Sequence, residues 1–318
     1  MIKNSLHKIG FIIIFVTFCS CWPHNRIVFE DIIIPKSAVN FSEVNSEYDD
    51  YNSAFPGNII NDEFQIYFSS NRDNKGESYD IIKYGCNLQF DQGVAEIRFR
   101  CQRMEDVNIL QNINSPSSNE YGPYFYYPEK LDTVLLFSSD CGGNLDIYFF
   151  DYKDKTINTI NEINTTDNEA YATIHNTSSS LYFCSDKEGE FNIYRIKNVF
   201  LDTSAIEIKY VNELNSEKND KCPYIKNNVM VFISDRDGGY GGFDLWYSIY
   251  KDTAWSKPIN FGPQINTQYD EYRPAVVETD SDKYLNNLMI FSSNRPDGKG
   301  GFDLYYVGIS KHLEDLNK

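Results

Sequence analysis

One phrase is written five times along this chain, and the repetition limits what it can fold into. An aromatic, β-prone run ends in serine, a polar turn follows, and then comes Asp or Asn followed by Ile or Leu. The runs centre on Phe68, Phe137, Phe183, Phe232 and Phe291, and the second halves begin at Asp80, Asp146, Asn192, Asp244 and Asp303. Ahead of each copy lies an Asn followed by an acid: Asn45/Asp50, Asn114/Glu120, Asn164/Glu169, Asn215/Asp220 and Asn266/Glu271. Units that recur every ~45–70 residues cannot bury their faces alone and must stack on one another.

Each unit reads as four strands. Strand A follows the acid, as in residues 272–277, and strand B is the serine-ended run, as in 288–293. Strand C starts at the Asp, as in 303–307, and strand D is the weakest, as in 254–258. The B runs are almost continuously apolar, which suits strands buried on both faces. The expected fold class is therefore all-β, a five-bladed β-propeller spanning residues 26–309. A sixth blade would need a copy that the sequence does not contain. After strand C of the fifth unit only a short charged tail, 310–318, remains, so that unit lacks its own strand D. Residues 26–34 are expected to supply it. They lead into Val39-Asn40-Phe41, which echoes Ile259-Asn260-Phe261. Closing the ring in this way removes an open sheet edge. The first unit carries an insertion over 84–108, read as an enlarged hairpin between strands C and D.

The ends and the charge carry separate messages. A formal charge of −17 argues against nucleic acid, because nothing would neutralise phosphates. Lys3, His7 and Lys8 precede a short apolar run and then Cys19-Ser20-Cys21. A basic start, a short apolar stretch and a small residue before the cut describe a secretory signal over residues 1–20. Cys21 is the expected lipidated residue, with 21–25 as a tether. That places the protein as an outer membrane lipoprotein, periplasmic or surface-exposed. Cys86 and Cys101 sit symmetrically about Gly93, so a hairpin turning there sets them opposite each other. A disulfide and a pair of free thiols both fit that placement.

The fourth and fifth units carry the most specific pattern. Ser234-Asp235-Arg236-Asp237-Gly238-Gly239, then Phe243-Asp244-Leu245-Trp246, Trp255-Ser256-Lys257-Pro258 and Glu271-Tyr272-Arg273-Pro274 resemble the WD-like, TolB-like β-propeller repeats of bacterial envelope proteins. The third unit departs most, with Asn192 for Asp and Ala170 for Tyr. The resemblance implies a propeller at the periplasm or cell surface, often a lipoprotein, and implies no catalysis.

Five acids, Asp50, Glu120, Glu169, Asp220 and Glu271, could be cast as catalytic carboxylates. A glycosidase, however, needs two carboxyl groups in unlike environments. A residue repeated in every unit serves what every unit needs, so these acids, with Asp80, Asp146, Asn192, Asp244 and Asp303, are read as structural. Asp235-Arg236-Asp237-Gly238 opens like a calcium loop but lacks the acidic twelfth position, so no metal and no cofactor is expected. From the serine to the strand-C Asp or Asn takes ten positions in units one, four and five and seven in units two and three. Only the long turns carry Arg: Arg72, Arg236 and Arg295. Either each Arg pairs with its own strand-C Asp, or the three turns form a recognition arc. Tyr79, Tyr240 and Arg273 join those arginines as binding-face candidates. The sequence thus points to a non-catalytic scaffold, not an enzyme, that binds an envelope protein or a glycan and meets the membrane through its lipid. The alternative is a secreted glycan-active hydrolase on a five-bladed propeller.

Overall fold

The computed structural model describes residues 32–91, 93–94, 96–128, 133–197, 207–280 and 282–313, all within the unit Asp31–Lys318. The chain opens with β1 (Val39–Asn40). Blade one follows as β2 (Asp50–Ala54), β3 (Glu63–Ser70), β4 (Asp80–Asp91) and β5 (Glu96–Met104). A one-turn helix, α1 (Leu110–Ile113), leads to blade two: β6 (Glu120–Tyr126), β7 (Val134–Ser139), β8 (Asp146–Asp151) and β9 (Thr156–Thr159). Blade three is β10 (Glu169–His175), β11 (Ser180–Ser185), β12 (Asn192–Lys197) and β13 (Lys209–Tyr210). Blade four is β14 (Asp220–Lys226), β15 (Val229–Ser234) and β16 (Asp244–Lys251), with β17 (Ala254–Trp255) and β18 (Ile259–Asn260) both on β16. Blade five is β19 (Glu271–Val277), β20 (Asn286–Ser293) and β21 (Asp303–Ser310), completed by β1. The all-β, five-bladed propeller expected from the repeats is the observed fold. Every pairing within a blade is antiparallel, and β7 and β11 are buried along their whole length between neighbouring blades.

The ring closes through the N-terminal part of the chain, but not through the segment expected. Val39 faces Tyr306 and Asn40 faces Tyr305, so β1 is the fourth strand of blade five. Its echo β18 takes the same place in blade four, with Ile259 opposite Tyr247 and Asn260 opposite Trp246. The Val-Asn and Ile-Asn echoes are therefore themselves the outer strands. The Trp255 segment is a small addition that pairs further along β16, at Tyr250 and Lys251. Of the expected closing strand 26–34, residues 26–31 lie outside the described residues. Ile32 forms a parallel bridge to Tyr284, and Ile34 exchanges two hydrogen bonds with the Asn286 amide. The signal and lipidation expectations at residues 1–25 also fall outside the described residues. Among the described residues no helix is long and apolar enough to cross a membrane.

What joins one blade to the next is a repeated side-chain clamp. Asn45 accepts from the Leu304 N–H and donates to the Leu304 carbonyl, both at 2.9 Å. Asn114 does the same to Ile81, Asn164 to Ile147, Asn215 to Ile193 and Asn266 to Leu245. Five residues further on, or six in blade two, the backbone N–H of each acid donates to the residue before the preceding strand C. Asp50 reaches Phe302, Glu120 reaches Tyr79, Glu169 reaches Leu145, Asp220 reaches Phe191 and Glu271 reaches Phe243, all at 2.7–2.8 Å. The insertion in blade one is the β4–β5 hairpin, and a disulfide joins Cys86 to Cys101 across it.

Asn45 is the clamp that closes the ring, and replacing it leaves the buried Leu304 N–H without an acceptor. We expect Asn45→Ala to cost about 2–3 kcal/mol, as measured by urea unfolding. Asn158→Ala, at the exposed edge strand β9, should stay within about 0.5 kcal/mol.

Candidate functional site

The five strand-A acids are buried and form hydrogen bonds inside their own blades. Asp50 accepts from Ser70 at 2.6 Å and from the Ser46 N–H and hydroxyl at 2.6 and 2.9 Å. Glu169 is held by Ser185 and Thr165, and Glu120 by Ser139, Ser118 and the Ser115 N–H. In blades one, four and five an arginine completes the set. Arg72 pairs with Asp50, Arg236 with Asp220 and Arg295 with Glu271. Each of these arginines also donates from Nε to its strand-B serine, and from Nη2 to the Val44, Leu214 or Ile265 carbonyl.

This corrects the sequence reading on two points. The arginine partner is the strand-A acid and not the strand-C Asp. Arg72, Arg236 and Arg295 are mostly buried in these pairs and so do not form an open recognition arc. The strand-C acids brace their own turns: Asp244 accepts from the Tyr240 N–H and Asp303 from the Lys299 N–H. The long turns also pack on the next blade. A Cβ on Gly300 would lie 1.9 Å from the Tyr48 carbonyl oxygen, so only glycine lets the two backbones meet there.

Blades two and three have no such arginine, and the consequence is electrostatic. Burial pushes the Glu120 carboxyl up to about 7, against hydrogen bonds from Ser118, Ser115 and Ser139 that pull it down. Burial likewise raises Glu169 and, against the pull of Arg295, also Glu271. The five acids look alike in sequence but occupy unlike environments.

The residue after each acid defines the mouth of the ring's axis. These are Tyr51, Tyr121, Ala170, Lys221 and Tyr272. Tyr51 packs against Tyr79, Tyr121, Tyr272 and Phe302, with ring centroids 5.1–6.2 Å apart. Lys221 lies over the Phe243 ring at 4.3 Å and over Tyr272 at 5.0 Å. Tyr79 also donates to Asp49 at 2.6 Å, which sets a carboxylate at this rim. Blade three contributes only the small, buried Ala170 at this position, and its Phe191 ring lies 5.3 Å from the Lys221 ammonium. These positions vary from blade to blade, as do the residues that follow them, so recurrence alone does not mark them; only their place directly after the repeated acid does.

Of the remaining candidates, Tyr79 stands at this mouth and Tyr240 is exposed on its turn, 49% accessible. Arg273 is not on a face at all. It is fully buried at the axis, one position beyond the mouth residue Tyr272.

Sequence comparison matches no family model and no curated protein. Solved structures match in shape. A thermostable family-43 glycoside hydrolase superposes with a TM-score of 0.50 at 9% identity, covering 80% of this chain and 88% of that one. An α-L-arabinofuranosidase from Lactobacillus brevis gives a TM-score of 0.50 at 12% identity, with 83% and 92% covered. TolB from Acinetobacter baumannii reaches only 0.36 at 12% identity, with 82% and 63% covered, too distant to carry the resemblance beyond the propeller itself. At these identities the likeness is one of fold. It overturns the expectation of a non-catalytic scaffold and of no enzyme all the same. About four fifths of this chain superposes on solved structures described as a glycoside hydrolase and an arabinofuranosidase.

The two kinds of acid should respond oppositely to neutralisation. Asp220→Asn leaves Arg236 without its counter-charge and should cost about 3–5 kcal/mol. Glu120 has a native pKa above its unfolded value. Its stabilising contribution is therefore complete below about pH 4.5 and lost as pH rises through about 7. Glu120→Gln should flatten that part of the stability–pH curve and be no less stable than the parent at pH 8. Urea melts from pH 4 to 8 decide both.

Proposed function

We propose that this protein is a glycan-active hydrolase of the cell envelope, with the saccharide seated at the aromatic mouth of the propeller axis. The observation that carries this reading is the conjunction of Tyr51, Tyr121 and Tyr272 at the mouth with the carboxyl groups of Glu120 and Asp49 beside them. Sugar rings present C–H faces that pack on aromatic rings, and rim carboxylates and Lys221 can bind their hydroxyls. Hydrolysis of a glycosidic bond needs one carboxyl that carries a proton and one that is ionised. Glu120, held near pH 7 by burial, is the proton-carrying candidate. Asp49, which accepts from the Tyr79 hydroxyl, is the candidate for the second carboxyl. Tyr79 links them, because its carbonyl accepts from the Glu120 N–H and its hydroxyl donates to Asp49. The α-L-arabinofuranosidase and family-43 hydrolase with this fold support the choice of substrate class.

The location and anchoring belong to the same proposal. A secretory start ending in Ser20-Cys21 and a disulfide between Cys86 and Cys101 both suit an oxidising compartment outside the cytoplasm. Lipidation at Cys21 would fix the propeller to the outer membrane, where the several acyl chains of a lipoprotein anchor firmly.

The activity test is release of reducing ends from arabino-, galacto- and xylo-oligosaccharides by the purified protein. We expect cleavage of at least one, with activity falling above pH 7 and lost in both Glu120→Gln and Asp49→Asn. Silence of the parent protein on all three classes would sink the proposal. Intact-mass measurement of the mature N-terminus checks the anchor: a triacylated Cys21 is expected, and an unmodified start elsewhere removes it.

A further inference from the structure

Strand A of every blade breaks its ladder two residues after the acid. The register shifts between Tyr51 and Ala54, Tyr121 and Tyr124, Ala170 and Thr173, Lys221 and Tyr224, and Tyr272 and Ala275. The residue that opens each shift has positive φ: Asn52 61°, Gly122 57°, Tyr171 59°, Cys222 55° and Arg273 31°. Four of the five pay for a left-handed backbone that favours glycine, and all five are buried. A conformation kept five times, four of them against its cost, serves the axis on which these strands converge.

Arg273 dominates that axis. From blade five it reaches across the ring to blade two, donating from Nη2 to the Pro123 carbonyl at 3.0 Å. Its guanidinium lies 5.2 Å from the centre of the Tyr171 ring of blade three. A Cβ on Gly122 would stand 2.5 Å from Tyr171 and 2.8 Å from Arg273 Nη1, so the glycine leaves the space that both side chains use. The titratable groups around the guanidinium are Cys222, Tyr171, Tyr224, Cys184 and Tyr124, with no carboxylate among them. Burial pushes both thiols and all three phenols up, so these neighbours are neutral. Arginine does not give up its proton in proteins. Its Nε and Nη1 find no acceptor among the described residues, and neither does Nδ2 of Asn52 in the adjoining blade. A buried charge with neither counter-ion nor full hydrogen bonding is strongly destabilising.

We propose that a small monovalent anion binds at the axis, held by Arg273 Nε and Nη1. A halide and a small carboxylate share this chemistry: one negative charge, acceptor only, small enough for a closed site. The inference does not depend on what occupies the mouth above.

The test uses the full protein, dialysed into sodium gluconate, whose anion is too bulky for the axis. Thermal unfolding is followed while chloride, bromide or formate replaces gluconate at constant ionic strength. A saturable rise in Tm is expected, about 5 °C at one hundred times the Kd. Saturation by halides identifies an inorganic anion, and saturation by formate alone identifies a carboxylate; either supports the site. A Tm indifferent to all three anions overturns it, because water then suffices. Arg273→Met should lose the response, and a response of unchanged size in that variant would also overturn it. Should Arg273→Met fail to fold, anomalous density in bromide-soaked crystals of the parent replaces it. A peak beside Arg273 supports the site, and bromide bound only elsewhere refutes it.

Discussion

The propeller depends on an asparagine amide that takes over the work of a sheet edge. Apolar contact between blades is non-directional and would let neighbouring sheets slide. The amide fixes them, because its oxygen and nitrogen together match the N–H and C=O of one residue in the preceding strand C. A second pairing next to it sets the angle. In blades two, three and four the residue before the acid is Asn and its partner after strand B is Asp; in blades one and five the two are exchanged. Asp49, Asn119, Asn168, Asn219 and Asp270 each also accept an N–H from the previous blade. The exchange preserves one carboxylate and one amide per junction, which the hydrogen bonding requires, while moving the charge from one side to the other. Asp49 comes to the mouth by this exchange.

The ring is uniform in backbone and uneven in charge. Three neighbouring blades neutralise their buried acid with arginine carried on a long turn, and two do not. The long turns are therefore the length needed to bring a guanidinium back over strands B and C. There it packs on Phe68 and Tyr84, on Phe232 and Trp246, or on Phe291 and Tyr305. Where the turn is short, the acid keeps its serines but has no cation, and only hydroxyl and backbone hydrogen bonds oppose burial. Three residues of loop length thus decide which of five equivalent carboxyls has a guanidinium beside it.

The repeats made the architecture readable because every blade poses the same packing problem and solves it with the same residue types. Asn45, Asp50 and the serine-ended strands announced themselves by recurrence. The closing strand was misplaced because residues 26–34 are more strand-like in composition than Val39-Asn40, whereas the place beside Tyr305 is decided by the reach of the Asn45 clamp. The arginine partners were misjudged because sequence distance favours the nearby Asp244 over Asp220. Strand pairing sets Ser234 between Asp220 and Asp244, and Asp244 is taken up by the Tyr240 N–H and the Asn260 amide. The axial and mouth residues were hidden for the opposite reason from the clamps. They vary from blade to blade, since each faces a shared centre instead of a repeated neighbour, and a reading built on recurrence passes over them. Arg273 was noticed and assigned to the wrong surface, because nothing in sequence distinguishes a side chain that points outward from one turned inward by a local ladder shift.

The seam in blade five has a kinetic side. Asn45 and Leu304 stand 259 residues apart in sequence, yet they must meet before the circle exists. Joining two points that far apart in a flexible chain costs about 5 kcal/mol in entropy, and the dependence on length is logarithmic. If the intervening blades are already stacked, most of that disorder is gone and only the last juxtaposition remains. The fold should therefore assemble as an arc that snaps shut, with a late barrier set by blade five. A protease or chaperone would meet the open arc as a distinct species, exposing β21 along the edge that β1 later covers.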